Sequence, residues 1–191
     1  MMILSGTKLL ERDDSEEKIK SICSLDQLIP FGFPRGCITE LVGSAGVGKS
    51  QICMQLSVAV QLPRRFGGPA AQCVYIDTEG GFNTNRISQM VDALRARLGD
   101  TPTSFAMPDL SRDLVLSGIK YVRVKDHVQL LTACSNLSSL IATACPSIQL
   151  VIVDSVAFHL RSAFDTTSER NAFADLIASE LLQVANSNRI A

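Results

Sequence analysis

The chain has 191 residues, 46% of them hydrophobic and 19% charged, with a formal net charge of −1. That length holds one domain with a single substantial core, and that composition excludes a disordered chain. The balance of charge excludes capture of nucleic acid by a general basic excess, so any DNA contact must come from a local patch, a partner or an assembly.

No apolar run reaches the ~18–20 residues of a membrane span. The opening "MMILSGTKLLERDD" has neither the basic front nor the long apolar segment of a secretory signal. Six cysteines, at 23, 37, 53, 73, 134 and 145, form no CxxC pair. Most sit in apolar surroundings, the pattern of reduced, buried thiols. His127 and His159 are too isolated to suggest a zinc site.

In chain order, residues 1–23 are expected to be a polar linker carrying the charge run "ERDDSEEKIK", and residues 24–191 an α/β domain. "CITELV" (37–42) reads as a buried strand, and Lys49 to about Leu62 as a helix stopped by Pro63. "PRRFGGPA" is a loop and "CVYID" (73–77) a second strand. Apolar residues at 87, 90, 91, 94 and 98 form a helical stripe, with Thr84 or Asn85 as N-cap and Gly99 past the end. After a loop over 100–117 that includes a short helix come the strand "IKYVRV" and the helix "DHVQLLTACSNLSSLIATA". "IQLVIVD" (148–154) is apolar throughout, as a central parallel strand should be, and "SERNAFADLIASELLQVANS" is a final helix. Strands alternating with helices predict a mostly parallel sheet with helices on both faces.

Gly43, Gly48, Lys49 and Ser50 fit G-x-x-x-x-G-K-[ST] between a strand and a helix. Glycines let backbone N–H groups turn inward around phosphates, and the helix N-terminus adds its positive dipole end. The cradle comprises Gly43, Ser44, Ala45, Gly46, Val47, Gly48, Lys49, Ser50 and Gln51. Lys49 would reach the β and γ phosphates, and Ser50 would ligate Mg²⁺. Asp154, ending a buried strand beside the cradle, is the second expected magnesium residue.

Ser155 stands where some nucleotidases carry a glutamate, so the residue that positions water must lie elsewhere. Glu79, just past the second strand in "YIDTEGGF", is the expected base, and Asp77 is expected to tie down its loop. "DTEG" also fits the D-x-x-G of GTPases. The guanine-reading N-K-x-D is absent and the magnesium-type Asp lies on another strand, which argues against a guanine switch.

Together "GCITELVGSAGVGKSQICMQLSVAVQLPRRFGG", "VYIDTEGGF" and "LVIVDSVAFHLR" resemble the RecA-like recombinases of eukaryotes, from about Ser24 onward. "GVGKSQICMQL" and "VIVDSVAFHLR" bring the chain nearer to the family's C paralogue. The resemblance implies a RecA-like P-loop core that binds ATP with Mg²⁺ and hydrolyses it. It implies work in homologous-recombination repair within a hetero-oligomeric complex of sister paralogues, on single-stranded and branched DNA, in the nucleus and also the cytoplasm. It makes Lys49 and Glu79 the catalytic pair, Ser50 and Asp154 the magnesium residues, and Arg86 a guanidinium near the adenine. The alternative is an assembly subunit in which ATP is structural.

Three departures bear on this. The family's small helical N-terminal domain is expected to be missing from this stretch. "RSAFDTTSERN" would be the first DNA-facing loop, yet Thr167 falls where strand-exchange members place an arginine, and Asp165 and Glu169 add negative charge. Arg161 and Arg170 remain as phosphate contacts. Finally, Arg189–Ala191 read as the opening of another strand, so the C-terminal strands of the sheet are expected to be missing and turnover impaired.

Overall fold

The computed structural model describes residues 18–20, 32–99, 110–143 and 145–191. Strand β1 (Lys18–Ile19) pairs antiparallel with β2 (Phe33–Pro34), ahead of helix α1 (Lys49–Ala59), a 3-10 turn at Arg64–Phe66 and strand β3 (Gln72–Asp77). Helices α2 (Thr84–Gly99) and α3 (Arg112–Ser117) precede β4 (Ile119–Arg123). Helix α4 (His127–Thr143), strand β5 (Ile148–Asp154), and helices α5 (Ala157–Ala163) and α6 (Thr167–Asn188) complete the order. Among the described residues no helix is long and apolar enough to cross a membrane.

β3 lies between β4 and β5 in a parallel sheet. Burial on both faces is why it is apolar without alternation up to Asp77. Its side chains still divide by the two-residue period of a strand. Cys73 and Tyr75 join Met54, Leu56 and Val58 of α1 and Ile87, Val91 and Leu94 of α2. Val74 and Ile76 join Leu130, Cys134 and Leu137 of α4 and Ile177 and Val184 of α6. Helices therefore cover both faces, as the alternation predicted. The register aligns Asp77 with Arg123 on one side and with Asp154 on the other, so three charged residues end three strands at one edge.

Several local expectations give way to tertiary structure. Residues 37–42 form no strand: Ile38–Glu40 and Val42–Val47 lie open to solvent. A strand needs a partner for its N–H and C=O groups. On β5, the N–H of Val151 donates to the Ala191 carbonyl at 2.7 Å, and the N–H of Ala191 donates to Gln149 at 3.1 Å. That flank is thus used by the residues read as a strand opening.

α1 ends at Ala59, three residues before the expected stop, because Leu62 bonds back to Ala59 in a closing turn. The N-cap of α2 is Asn83 rather than Thr84 or Asn85. Its side-chain oxygen accepts from the Arg86 N–H at 3.1 Å and its carbonyl from the Ile87 N–H at 3.1 Å. Ile19, within the stretch expected to be a linker, is completely buried in the core.

"RSAFDTTSERN" is mostly helical. α5 runs to Ala163 and α6 starts at Thr167, held by a capping box in which Thr166 and Glu169 bond reciprocally. Phe164 packs against His127 and Phe173, at ring centroid distances of 5.1 and 5.2 Å, which pins the connection to α4 and α6.

Candidate functional site

The cradle leads into α1 through two left-handed glycines, Gly46 at φ 80° and Gly48 at φ 101°. A Cβ at either would meet nothing within 4 Å. Glycine is required there by backbone direction rather than by space. The Lys49 ammonium folds back along the turn, donating from Nζ to the carbonyls of Gly43 at 2.9 Å and Ser44 at 2.8 Å. Ser50 follows, half-buried in the first turn of the helix.

At the strand ends, Asp77 is almost fully buried and organises the loop after β3. Its Oδ1 accepts the N–H groups of Glu79 at 3.0 Å and Gly81 at 3.3 Å, and also that of Gly80. Its Oδ2 accepts the N–H of Phe82 and the hydroxyl of Tyr121, both at 3.1 Å. Arg123 donates from Nη1 to the Asp77 carbonyl at 2.8 Å. Burial opposes ionisation of this carboxyl, but the Phe82, Gly80, Tyr121 and Gly81 donors outweigh it and hold its pKa below the ordinary value. Gly80 sits at φ 83° with the Arg123 guanidinium 3.2 Å from where a Cβ would stand. Asp77 therefore ties down the loop, as its position suggested.

That loop presents Glu79, whose Oε1 accepts the Ser155 hydroxyl at 2.9 Å. Thr78 staples the two strand-end turns: its N–H donates to the Asp154 carbonyl at 2.9 Å, and its hydroxyl bonds the Ser155 carbonyl and N–H at 2.8 Å each. The Asp154–Ser155 peptide bond is cis. Asp154 Oδ2 accepts the Tyr75 hydroxyl at 2.8 Å. Burial, then the Asp154 charge, pushes the Tyr75 phenol far above its ordinary value, so it serves as a donor.

The cradle and the strand ends are neighbours because α1 packs against both β3 and β5. Burial first, and the Asp154 charge second, push the thiol of Cys53 up to about 12. Cys53 lies one turn beyond Lys49, so Asp154 and the head of α1 share one electrostatic environment. Arg86, exposed at the start of α2, donates from Nε to Gln51 Oε1 at 2.7 Å and from Nη1 to Gln89 Oε1 at 3.1 Å. It thus stands beside the cradle helix.

Among the described residues no three His, Cys, Asp or Glu side chains gather as a ready-made metal site. A single strand-end carboxylate beside a helix-head serine suits a hard cation that keeps waters and shares its coordination with phosphate. Sequence reasoning missed Tyr75, Thr78 and Arg123, and it weighed Ser155 only for not being a glutamate. The available signal was the strand period, which turns Tyr75 toward the face that carries the cradle helix.

A parallel sheet covered on both faces, a glycine-turned cradle at a helix head and carboxylates ending adjacent strands define a RecA-like α/β domain. The Rad51 family model matches residues 18–191, and the chain belongs to the Rad51 family. It is 34% identical over 195 residues to DNA repair protein RAD51 homolog 3 of Cricetulus griseus, covering 98% of this chain and 53% of that protein. It is 36% identical over 162 residues to the DNA repair and recombination protein RadA of Methanocorpusculum labreanum, covering 84% of this chain and 49% of that protein. The chain thus spans about half the length of these relatives.

Proposed function

We propose that the chain is the ATP-binding core of a recombinase paralogue acting in homologous-recombination DNA repair. On this reading it acts in the nucleus, with a cytoplasmic pool, alongside sister paralogues in a hetero-oligomer. The observation that carries this reading is Asp154, which ends β5 against α1, the helix whose head bears Lys49 and Ser50, with Glu79 of the neighbouring loop tied to the adjoining Ser155. Relatives named for DNA repair and recombination support the process.

In this reading Lys49 offers its ammonium to the β and γ phosphates, and the backbone N–H groups from Ser44 to Ser50 surround them. Ser50 and Asp154 would hold magnesium, which would neutralise phosphate charge. Glu79 accepts a proton from, or orients, the attacking water. Arg86, beside Gln51 of the cradle helix, would stack on the adenine.

A second reading, nucleotide as a structural element without turnover, is favoured by the Ser155 hydroxyl engaging the Glu79 carboxylate. Two variants separate these possibilities. Lys49→Ala should lower ATP affinity at least tenfold, because charge-assisted contacts of this type are worth about 1.5–3 kcal/mol. Filter binding of labelled ATP reads this, and unchanged affinity would remove the nucleotide role altogether. Glu79→Gln should keep ATP affinity while lowering hydrolysis, measured with and without single-stranded DNA. No hydrolysis in the parent despite tight binding favours the structural reading.

A further inference from the structure

Building on the nucleotide reading above, we propose that Tyr75 is the positioning residue for Asp154. Its hydroxyl holds Oδ2 and thereby leaves Oδ1 for the cation that accompanies nucleotide. Neither the cradle motif nor the acidic strand ends point to this tyrosine, which lies in the middle of the central strand.

The first observation is chemical. Tyr75 is completely buried, where a phenylalanine would fill the same volume, yet it carries a hydroxyl. That hydroxyl donates to Asp154 Oδ2 at 2.8 Å, and among the described residues it is the hydrogen-bond donor to this carboxylate. An aspartate attached by one rotatable stem turns readily about its last torsion. Magnesium demands near-octahedral geometry, so a carboxylate that serves it must be held.

The second observation is mechanical. The Tyr75 ring packs on Phe82 at 4.9 Å between centroids, and Phe82 packs on Tyr121 at 5.0 Å. Phe82 and Tyr121 both donate to Asp77 Oδ2, from N–H and hydroxyl respectively. Three rings in tilted contact thus join the carboxylate that ends β5 to the one that organises the Glu79 loop. The phenol cannot swing from Asp154 without disturbing those ring contacts. Position 75 is therefore built to fix one carboxylate relative to the other.

The test is the metal dependence of nucleotide binding by the 191-residue chain, with no turnover in the readout. Affinity for a fluorescent, non-hydrolysable ATP analogue is measured in chelator and in saturating manganese, for the parent and for Tyr75→Phe. The substitution should leave affinity in chelator unchanged and reduce the manganese-dependent gain about tenfold, the usual scale for losing a partner of a metal ligand. In an Asp154→Asn background it should cost nothing further, since the group it positions is gone.

An unchanged manganese gain in Tyr75→Phe overturns the proposal. So does an equal loss with and without metal, which marks a purely structural role, or a further loss in the Asp154→Asn background. A parent chain that binds no analogue overturns the nucleotide reading and this proposal together. A parent that binds, paired with a variant of unchanged metal gain, overturns the positioning role alone.

Discussion

Among single residues, Asp77 shows how a strand-end acid becomes structural. Five donors surround its two oxygens, and they favour the ionised form over the protonated one. The folded carboxyl therefore titrates below the ordinary 3.8, and the unfolded chain binds that proton more readily. The stabilisation is fully present above the unfolded pKa and is lost as pH falls through the lower folded value. We predict that the thermal midpoint of the parent falls steeply below about pH 4, whereas Asp77→Asn is less stable at neutral pH and declines more gently. Parallel slopes for the two proteins would show that Asp77 does not contribute the pH dependence. The role of Asp77 was legible from sequence, since an acid two residues before the loop glutamate is well placed to cap it. The Tyr121 hydroxyl was not, because it comes from a strand 44 residues away.

Helix ends and strand edges are set by bonds that composition alone does not reveal. The stretch from Arg161 to Asn171 has the polar composition of a loop, yet it contains the end of one helix and the beginning of another. Thr166 accepts the Glu169 N–H at 3.2 Å, and Glu169 Oε2 accepts the Thr166 N–H at 3.2 Å. Glu169, read as a negative charge on a DNA-facing loop, is thus engaged in a capping box. Removing an N-cap hydroxyl costs about 1 kcal/mol. Thr166→Ala should therefore lower the stability measured by urea unfolding by about that amount, with Thr166→Ser close to the parent. No change in either would mean that packing of α6 against α4, rather than the cap, sets where the helix begins. Sequence pattern located both strands that end in acids within a residue, because their apolar runs are long. It misplaced the 37–42 segment, because a strand is a relation between two chains and the apolar pattern describes only one of them.

For the molecule as a whole, charge is the deciding quantity. Net charge −1 leaves no general attraction for a polyanion, and Lys and Arg contacts to phosphate supply most non-specific affinity. On α6, Arg170 already bonds Thr166 and Thr167 near Glu169. We expect this chain alone to bind single- or double-stranded DNA more weakly than about 10 µM near physiological salt, within the ~10⁻⁴–10⁻⁶ M non-specific range. Fluorescence anisotropy with a labelled oligonucleotide checks this. Sub-micromolar binding would show that Arg161, Arg170 or the exposed Arg64–Arg65 pair forms a basic patch stronger than the net charge suggests.

By itself, the sequence determined the fold class, the cradle and the acids that end two strands. Each is written in local chemistry: glycine spacing, a Lys-Ser pair, and apolar runs that stop at a carboxylate. Only tertiary structure decided what those acids touch. Asp154 meets Tyr75, Glu79 meets Ser155 and Arg86 meets Gln51 across separations of 79, 76 and 35 residues. Such pairs depend on strand register and on which helix covers which face. Register follows from which face of each strand is buried, and the partner that buries it comes from segments far away in sequence.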